Sequence, residues 1–252
     1  MEYRILGHSG LKVSAIGLGC MSLKSTSEQE AIAVIHRALA LGINLVDTAD
    51  LYERGLNEAL VGKALLGKRD QVVLATKVGN QARADGSGWD WNPRKAYILT
   101  AVEDSLRRLR TDRLDLYQLH GGTIEDPIDE TIDAFETLKS QGKILHYGIS
   151  SIRPNVIREY VLRSNVTSVM LQYSLADRRP EEAVLDLLLA SGVGVLVRGA
   201  LAQGMLVSKP GRDYLGHEAA ALDHARRALS DDAHGGRKPT HTALRYVLQH
   251  EG

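Results

Sequence analysis

Short apolar runs alternate with amphipathic helical stretches seven times along this chain, and short connections join them. This alternation restricts the fold strongly, because parallel strands need long crossovers and helices supply them. The apolar runs lie at 15–20, 43–46, 72–76, 114–119, 145–150, 169–173 and 193–197. Helical patterns fill the gaps. A capping box at Ser27-Glu28-Gln29-Glu30 leads into Ala31, Ile32, Ile35, Ala38 and Leu39, and Gly42 stands where a helix ends. Further helices are expected from Glu58 to Leu66, from Pro93 in the first turn through Leu109, from Pro127 to Gly142, from Pro154, from near Pro180, and over 240–249. Ahead of all these, residues 3–14 read as a hairpin turning at Gly7-His8-Ser9-Gly10.

Repeated βα units with no shift in composition predict one α/β domain over 1–252, a (β/α) barrel with an N-terminal hairpin. An open doubly wound sheet would want Gly-x-Gly-x-x-Gly between an early strand and helix, and Gly17-Leu18-Gly19-Cys20-Met21-Ser22 keeps only the first two glycines. The stretch 209–239 departs from the pattern. Rich in Gly, Asp, His and Arg, with a weak helical period at Ala221, Leu222, Ala225 and Leu229, it is expected to be a long mobile loop over the barrel mouth. No eighth apolar run follows the last helix, so the eighth strand is expected to be missing from this chain.

The 252 residues carry a formal net charge of zero, which gives no footprint for nucleic acid or an anionic membrane. No leader-like apolar segment opens the chain, and no run reaches the roughly 18 residues of a membrane span. The single cysteine, Cys20, forms no intrachain disulfide or metal cluster and reads as a small buried hydrophobe. A cytoplasmic protein without a metal site is the expectation.

Chemistry gathers where strands end. Asp47-Thr48-Ala49-Asp50-Leu51-Tyr52 follows the run at 43–46, Lys77 closes the run at 72–76, and His120 closes the run at 114–119. On neighbouring parallel strands, Asp47, Tyr52, Lys77 and His120 converge on one mouth. A tyrosine hydroxyl has a pKa of about 10, too high for easy proton exchange at neutral pH. A nearby ammonium stabilises the phenolate, a carboxylate holds that ammonium in place, and a histidine can orient a substrate oxygen. Such a set suits carbonyl reduction, with hydride going to carbon and a tyrosine proton to oxygen. Taken singly, each residue has an ordinary structural explanation, as an ion pair, a satisfied histidine or a rim tyrosine. Together they are chemically complementary.

These motifs, with Asn57-Glu58, Ala75-Thr76-Lys77, Leu114-Asp115-Leu116-Tyr117-Gln118-Leu119-His120 and Gly148-Ile149-Ser150, resemble the aldo-keto reductases. The resemblance runs from Arg4-Ile5-Leu6-Gly7 to about Leu206 and weakly into the last helix. It implies a (β/α)8 TIM barrel that binds NADP(H) without a Rossmann fold and reduces small aldehydes or ketones. It further implies that Tyr52 is the proton donor, tuned by Lys77 and Asp47, and that His120 orients the carbonyl. Asp47, Ser150, Ser151 and the backbone at Gly19, Cys20 and Met21 are implied for the cofactor. Leu201-Ala202-Gln203-Gly204-Met205-Leu206 resembles the loop that wraps the pyrophosphate, and Gly204 would let backbone amides approach phosphate.

The pattern departs in places. Ser151 replaces a frequent Asn. The family's strand-six Gln corresponds to Met170, with Gln172 two residues on as its expected substitute on the same strand face. Arg198 stands where an aromatic often stacks on the nicotinamide, and its planar guanidinium can stack as well. Relatives continue with an eighth strand, a Pro-Gly turn and a basic residue for the 2′-phosphate. None is seen here, so the chain is expected to be C-terminally incomplete and to bind NADPH weakly or not at all. Trp89 and Trp91, in the Gly-rich stretch 85–91, either form a wall for an apolar substrate or pack that loop onto the barrel. Two rival functions stand beside the reductase: a low-turnover NADP(H)-sensing subunit on the same fold, and a barrel enzyme using Lys77 as a Schiff base.

Overall fold

The structure, a computed structural model, describes residues 1–231 and 237–250. It opens with the expected hairpin, β1 (Tyr3–Ile5) and β2 (Lys12–Ser14), antiparallel with Tyr3 opposite Ser14. The alternating region follows as β3 (Leu18–Gly19), α1 (Glu28–Ala40), β4 (Leu45–Asp47), α2 (Leu56–Ala64) and β5 (Val73–Val78). A second hairpin, β6 (Asn80–Ala82) and β7 (Trp89–Trp91), interrupts it before α3 (Lys95–Leu109) and β8 (Leu114–Leu119). Then come α4 (Ile128–Ser140), β9 (Ile144–Ser150), α5 (Pro154–Arg163), β10 (Ser168–Gln172), α6 (Pro180–Ala183), α7 (Leu185–Ala190) and β11 (Gly194–Arg198). Two helices end the chain, α8 (Ala219–Asp231) and α9 (Pro239–Leu248). Among the described residues, no helix is long and apolar enough to cross a membrane.

Seven parallel strands form one sheet in the order β11-β10-β9-β8-β5-β4-β3, so β3 and β11 are its edges among the described residues. The central strands are buried on both faces, and all six residues of β5 and of β8 are buried. Two apolar layers result. The larger, with Ile35, Val102, Phe135, Tyr147 and Ile157, lies between the strands and the helices outside them. The smaller joins Leu45, Val73, Ala75, Leu116, Met170 and Leu196 with Leu6 and Val13 of the first hairpin. Side chains from β4 and β11 meet in that one cluster although five sheet positions separate their strands. The sheet therefore curls around its own interior, and the hairpin plugs one end.

Several local expectations are corrected. Ser27 does precede α1, but its side chain makes no capping bond. The run at 15–20 yields only the two residues of β3, half-buried Leu18 and exposed Gly19, because an edge strand lacks a covering neighbour on one side. Pro93 falls ahead of α3, whose N-cap is Arg94. The helix near Pro180 is broken at Val184 into α6 and α7. The loop expected over 209–239 contains α8, whose Leu222, Ala225 and Leu229 pack on Ala202, Met205 and Leu206. Its weak period was a true amphipathic signal, and the apolar partner lies at 202–206. The part of that expected loop at 232–236 lies outside the described residues.

Helices α2 and α3 touch through Gly62. A Cβ there would stand 2.6 Å from the Arg108 carbonyl oxygen and 2.7 Å from the Leu109 carbonyl carbon, backbone atoms that cannot swing aside. Gly62→Ala is expected to destabilise the fold by about 1–3 kcal/mol through overpacking, read as a lower urea midpoint at unchanged slope.

Candidate active site

Strand alternation sets the site. The inward side chains Leu45, Ala75, Leu116, Met170 and Leu196 of the smaller cluster are followed two positions on by Asp47, Lys77, Gln118, Gln172 and Arg198. Lys77 is opposite Gln118, Gln118 opposite Gly148, Ser150 opposite Met170, and Gln172 opposite Arg198. These side chains form a polar layer at the carboxyl ends of the strands, directly above an apolar one.

Lys77 is the centre of that layer. Only 1% exposed, it donates from Nζ to Asp47 Oδ2 at 2.6 Å and to the Thr48 carbonyl at 2.7 Å. Nζ also lies 3.4 Å from the Tyr52 hydroxyl and 5.1 Å from the centre of its ring. Burial works against the ammonium, but Asp47 and then Tyr52 outweigh it and hold Lys77 above its ordinary pKa. Burial likewise raises the Asp47 carboxyl, opposed by Lys77 and by the Gln118 amide. A lysine held charged by a carboxylate is a poor nucleophile, which removes the physical basis for a Schiff base here.

Tyr52 is presented by a strained turn. Glu53 (φ 48°), Arg54 (φ 54°) and Gly55 (φ 85°) follow it in the left-handed region, a conformation that persists only where surroundings enforce it. Glu53 accepts from the Ser25 amide at 2.8 Å, and Arg54 donates to the Gly86 carbonyl at the hairpin tip. Gly55 lies under the Arg108 guanidinium, where a Cβ would come within 2.7 Å. Arg108 is itself fixed by fully buried Glu58 at 2.6 Å, and Glu58 also accepts from Thr76 at 2.6 Å. Asn57 completes the support, accepting from Thr48 at 2.7 Å and donating to the carbonyls of Cys20 and Leu23 at 2.9 and 2.7 Å. Asp50, in the same stretch, has a buried Oδ1 without a partner, and burial followed by Glu58 pushes its carboxyl up to about 7.

The His120 ring meets Tyr52 edge-on, with centres 5.9 Å apart. Burial first, then Lys77 and Arg198, push its imidazole down to about 3, so it is neutral near pH 7. Its Nδ1 is buried without a partner, while its backbone is pinned by the Val78 carbonyl at 2.7 Å. The two tryptophans divide. Trp91 lies across Gly79 and Gly121 and donates to Asp126 at 2.9 Å, so it packs the hairpin onto the strand ends, whereas Trp89 is exposed.

The other residues singled out from sequence sit as follows. Ser150 and Ser151 are buried at the end of β9, where Ser151 is drawn into the turn by bonds from its amide to Met170 and from the Arg153 amide to its hydroxyl. Gln172 is engaged at both ends of its amide, accepting from Arg198 at 2.9 Å and donating to the Tyr214 hydroxyl at 2.7 Å. Arg198 is thus hydrogen-bonded to Gln172. Cys20 is buried, with its thiol pushed up to about 12 by burial and then by Asp47, whereas Met21 and Gly19 are exposed. Beyond β11, Leu201 leads into Ala202 (φ 46°), Gln203 (φ 58°) and Gly204 (φ 96°), the second run of three left-handed residues among those described. The Lys209 stem packs on Gly204, and Arg212 reaches Gln203. With Arg198, these cations and this tight turn suit an anionic, phosphate-bearing ligand. Sequence reasoning missed Gln118, Tyr214 and Arg108. Gln118 was accessible to it, since a residue two before His120 shares its strand face.

Two outcomes follow from this geometry. Arg108→Met leaves Glu58 as an uncompensated buried charge and is expected to cost about 3–5 kcal/mol in chemical denaturation. For His120, the folded state binds the proton less tightly than the unfolded chain, whose histidine titrates near 6.5. Its contribution to stability is therefore complete above about pH 6.5 and declines as pH falls towards 3. Imidazole NMR shifts of His120 are expected to stay in the neutral position from pH 8 to pH 5, and a midpoint near 6.5 would contradict its placement.

Known proteins resemble this chain in sequence and in fold. The model of the aldo/keto reductase family matches residues 15–252. The chain is 51% identical over 257 residues to the uncharacterized oxidoreductase YqkF of Bacillus subtilis (strain 168), covering 98% of this chain and 83% of that one. Among solved structures, the holo form of the aldo-keto reductase AKR11C1 from Bacillus halodurans superposes with a TM-score of 0.93 at 54% identity, over 99% of this chain and 83% of that one. An aldo/keto reductase from Klebsiella pneumoniae in complex with NADP and acetate gives a TM-score of 0.80 at 29% identity, over 97% and 80%. With its curled parallel sheet and its strand-end cluster, this chain belongs to the aldo/keto reductase family.

Proposed function

We propose that this chain is an NADP(H)-dependent reductase of small aldehydes and ketones, with Tyr52 as the proton donor. The observation that carries the reading is the buried Lys77 ammonium, which touches Asp47 on one side and the Tyr52 hydroxyl on the other. A phenol beside a fixed cation releases a proton to an oxygen that gains negative charge, because the phenolate left behind is stabilised without reorganisation. Asp47 keeps Lys77 charged and aimed. His120, neutral near pH 7, donates a hydrogen bond from its accessible ring nitrogen and sets the carbonyl oxygen against Tyr52. The hairpin carrying Trp91, held on Gly121, limits water access from that side.

NADP(H) supplies the hydride when bound, and the NADP complex of the Klebsiella pneumoniae relative supports that cofactor here. The residues to hold it are Ser150, Ser151, Gln172 and Arg198 at the nicotinamide end, the backbone of Gly19, Cys20 and Met21 beside Asp47, and Leu201 and Gly204 with the neighbouring cations at the phosphates.

NADPH oxidation against a panel of aldehydes and ketones tests the reading, with Tyr52→Phe as the decisive variant. Removing the hydroxyl is expected to lower kcat by about 100-fold or more while leaving NADPH affinity, measured by fluorescence, within about twofold. Equal turnover in the two proteins would overturn the role of Tyr52.

A further inference from the structure

The strand that delivers His120 brings a second polar side chain into the barrel. Gln118 is fully buried, stands opposite Lys77 in the sheet, and points its amide at the Asp47 carboxylate, with Nε2 3.3 Å from Oδ1. Its orientation follows from chemistry. Asp47 Oδ1 is an acceptor, so the Gln118 NH2 must face it and the Gln118 oxygen must face away. That oxygen, Oε1, is buried and has no partner. A buried carbonyl left unsatisfied is unfavourable, so the packing holds the amide in the orientation that serves Asp47.

We infer that Gln118 is a positioning residue of the reductase site, holding Asp47 ionised and oriented so that its other oxygen stays on Lys77. The inference rests on the proposed roles of Asp47, Lys77 and Tyr52. The two carboxylate oxygens are divided, Oδ2 to Lys77 and Oδ1 to Gln118. Without the second donor the carboxylate can rotate about its Cβ–Cγ bond, and the Lys77 contact to Tyr52 loosens with it. Titratable groups surround the pair: Lys77 from β5 and Cys20 beyond β3 face Asp47, while Tyr52 and Asp50 beyond β4 and His120 beyond β8 face Lys77. Of these, Lys77 alone is cationic at neutral pH. The Gln118 amide is the neutral donor that completes the carboxylate.

Two near-isosteric variants separate this role from a purely structural one. Gln118→Met removes the donor and keeps the volume. The Asp47 carboxyl is expected to titrate about one pH unit higher, and the acid limb of kcat to move up with it. Gln118→Glu places a second carboxyl against Asp47, and two carboxyls at that distance cannot both ionise freely. When protonated, the introduced group donates to Asp47, so activity is expected to persist at low pH and to fall as pH rises. The two variants thus shift the kcat profile in opposite senses, with NADPH affinity and KM within about twofold.

The Asp47 titration is read in parallel by carbon NMR of the carboxyl group, assigned with Asp47→Asn. Wild-type protein without turnover would refute the proposed function and leave the NMR titration to decide on Gln118. An Asp47 titration unchanged by Gln118→Met in folded protein, or kcat profiles of both variants that superimpose on wild type after scaling, would overturn the inference.

Discussion

A buried ion pair organises this molecule. Lys77 and Asp47 stand on adjacent strands, and taking two charges out of water is unfavourable by several kcal/mol per ion before any contact is made. Close geometry offsets this, at 2.6 Å, and three further groups hold the pair: the Thr48 carbonyl on Lys77, the Gln118 amide on Asp47, and the Tyr52 hydroxyl on the outer side of the ammonium. Much of the surrounding polar architecture can be traced from this demand. Asn57 holds Thr48, and Gln118 leaves its own oxygen unpaired in order to serve Asp47.

The tyrosine beside this pair is held by a different device. Of the three successive left-handed residues after Tyr52, Glu53 and Arg54 are unfavourable in isolation, and long-range contacts compensate them. Arg108 arrives from α3, Ser25 from the segment before α1, and Gly86 from the hairpin tip. Glu58 anchors Arg108 from beneath and bonds Thr76, the residue before Lys77. The turn that presents the hydroxyl and the strand that presents the ammonium therefore share one buried support. A comparable turn at 202–204 is backed by α8, so both chemical segments are conformations imposed by their neighbours.

Much of this was legible in the chain. The alternation of apolar runs and helical periods located the strands and most helices, since a strand buried on both faces must be continuously apolar. The order of Asp47, Lys77 and His120 on consecutive strand ends placed them at one mouth, because parallel strands share a carboxyl end. Less legible were features that depend on a distant partner. The period in 219–231 was weak because its apolar surface is small and matches only Ala202, Met205 and Leu206. The Gly-rich stretch 85–91 looked like a loop, yet it completes a hairpin with 80–82 whose Trp91 settles on Gly79 and Gly121.

By itself the sequence determined the fold class, the direction of the strands and the identity of the four strand-end groups, since each follows from local periodicity and residue chemistry. Tertiary structure alone decided which of them touch, how the turn after Tyr52 is strained, and that His120 is neutral while Lys77 is charged. It also decided that Gln172 is bound between Arg198 and Tyr214, and that the Gln118 amide meets the Asp47 carboxylate. The physical reason is common to all of these. Protonation and orientation depend on burial and on partners tens of residues away along the chain, and no local pattern records either.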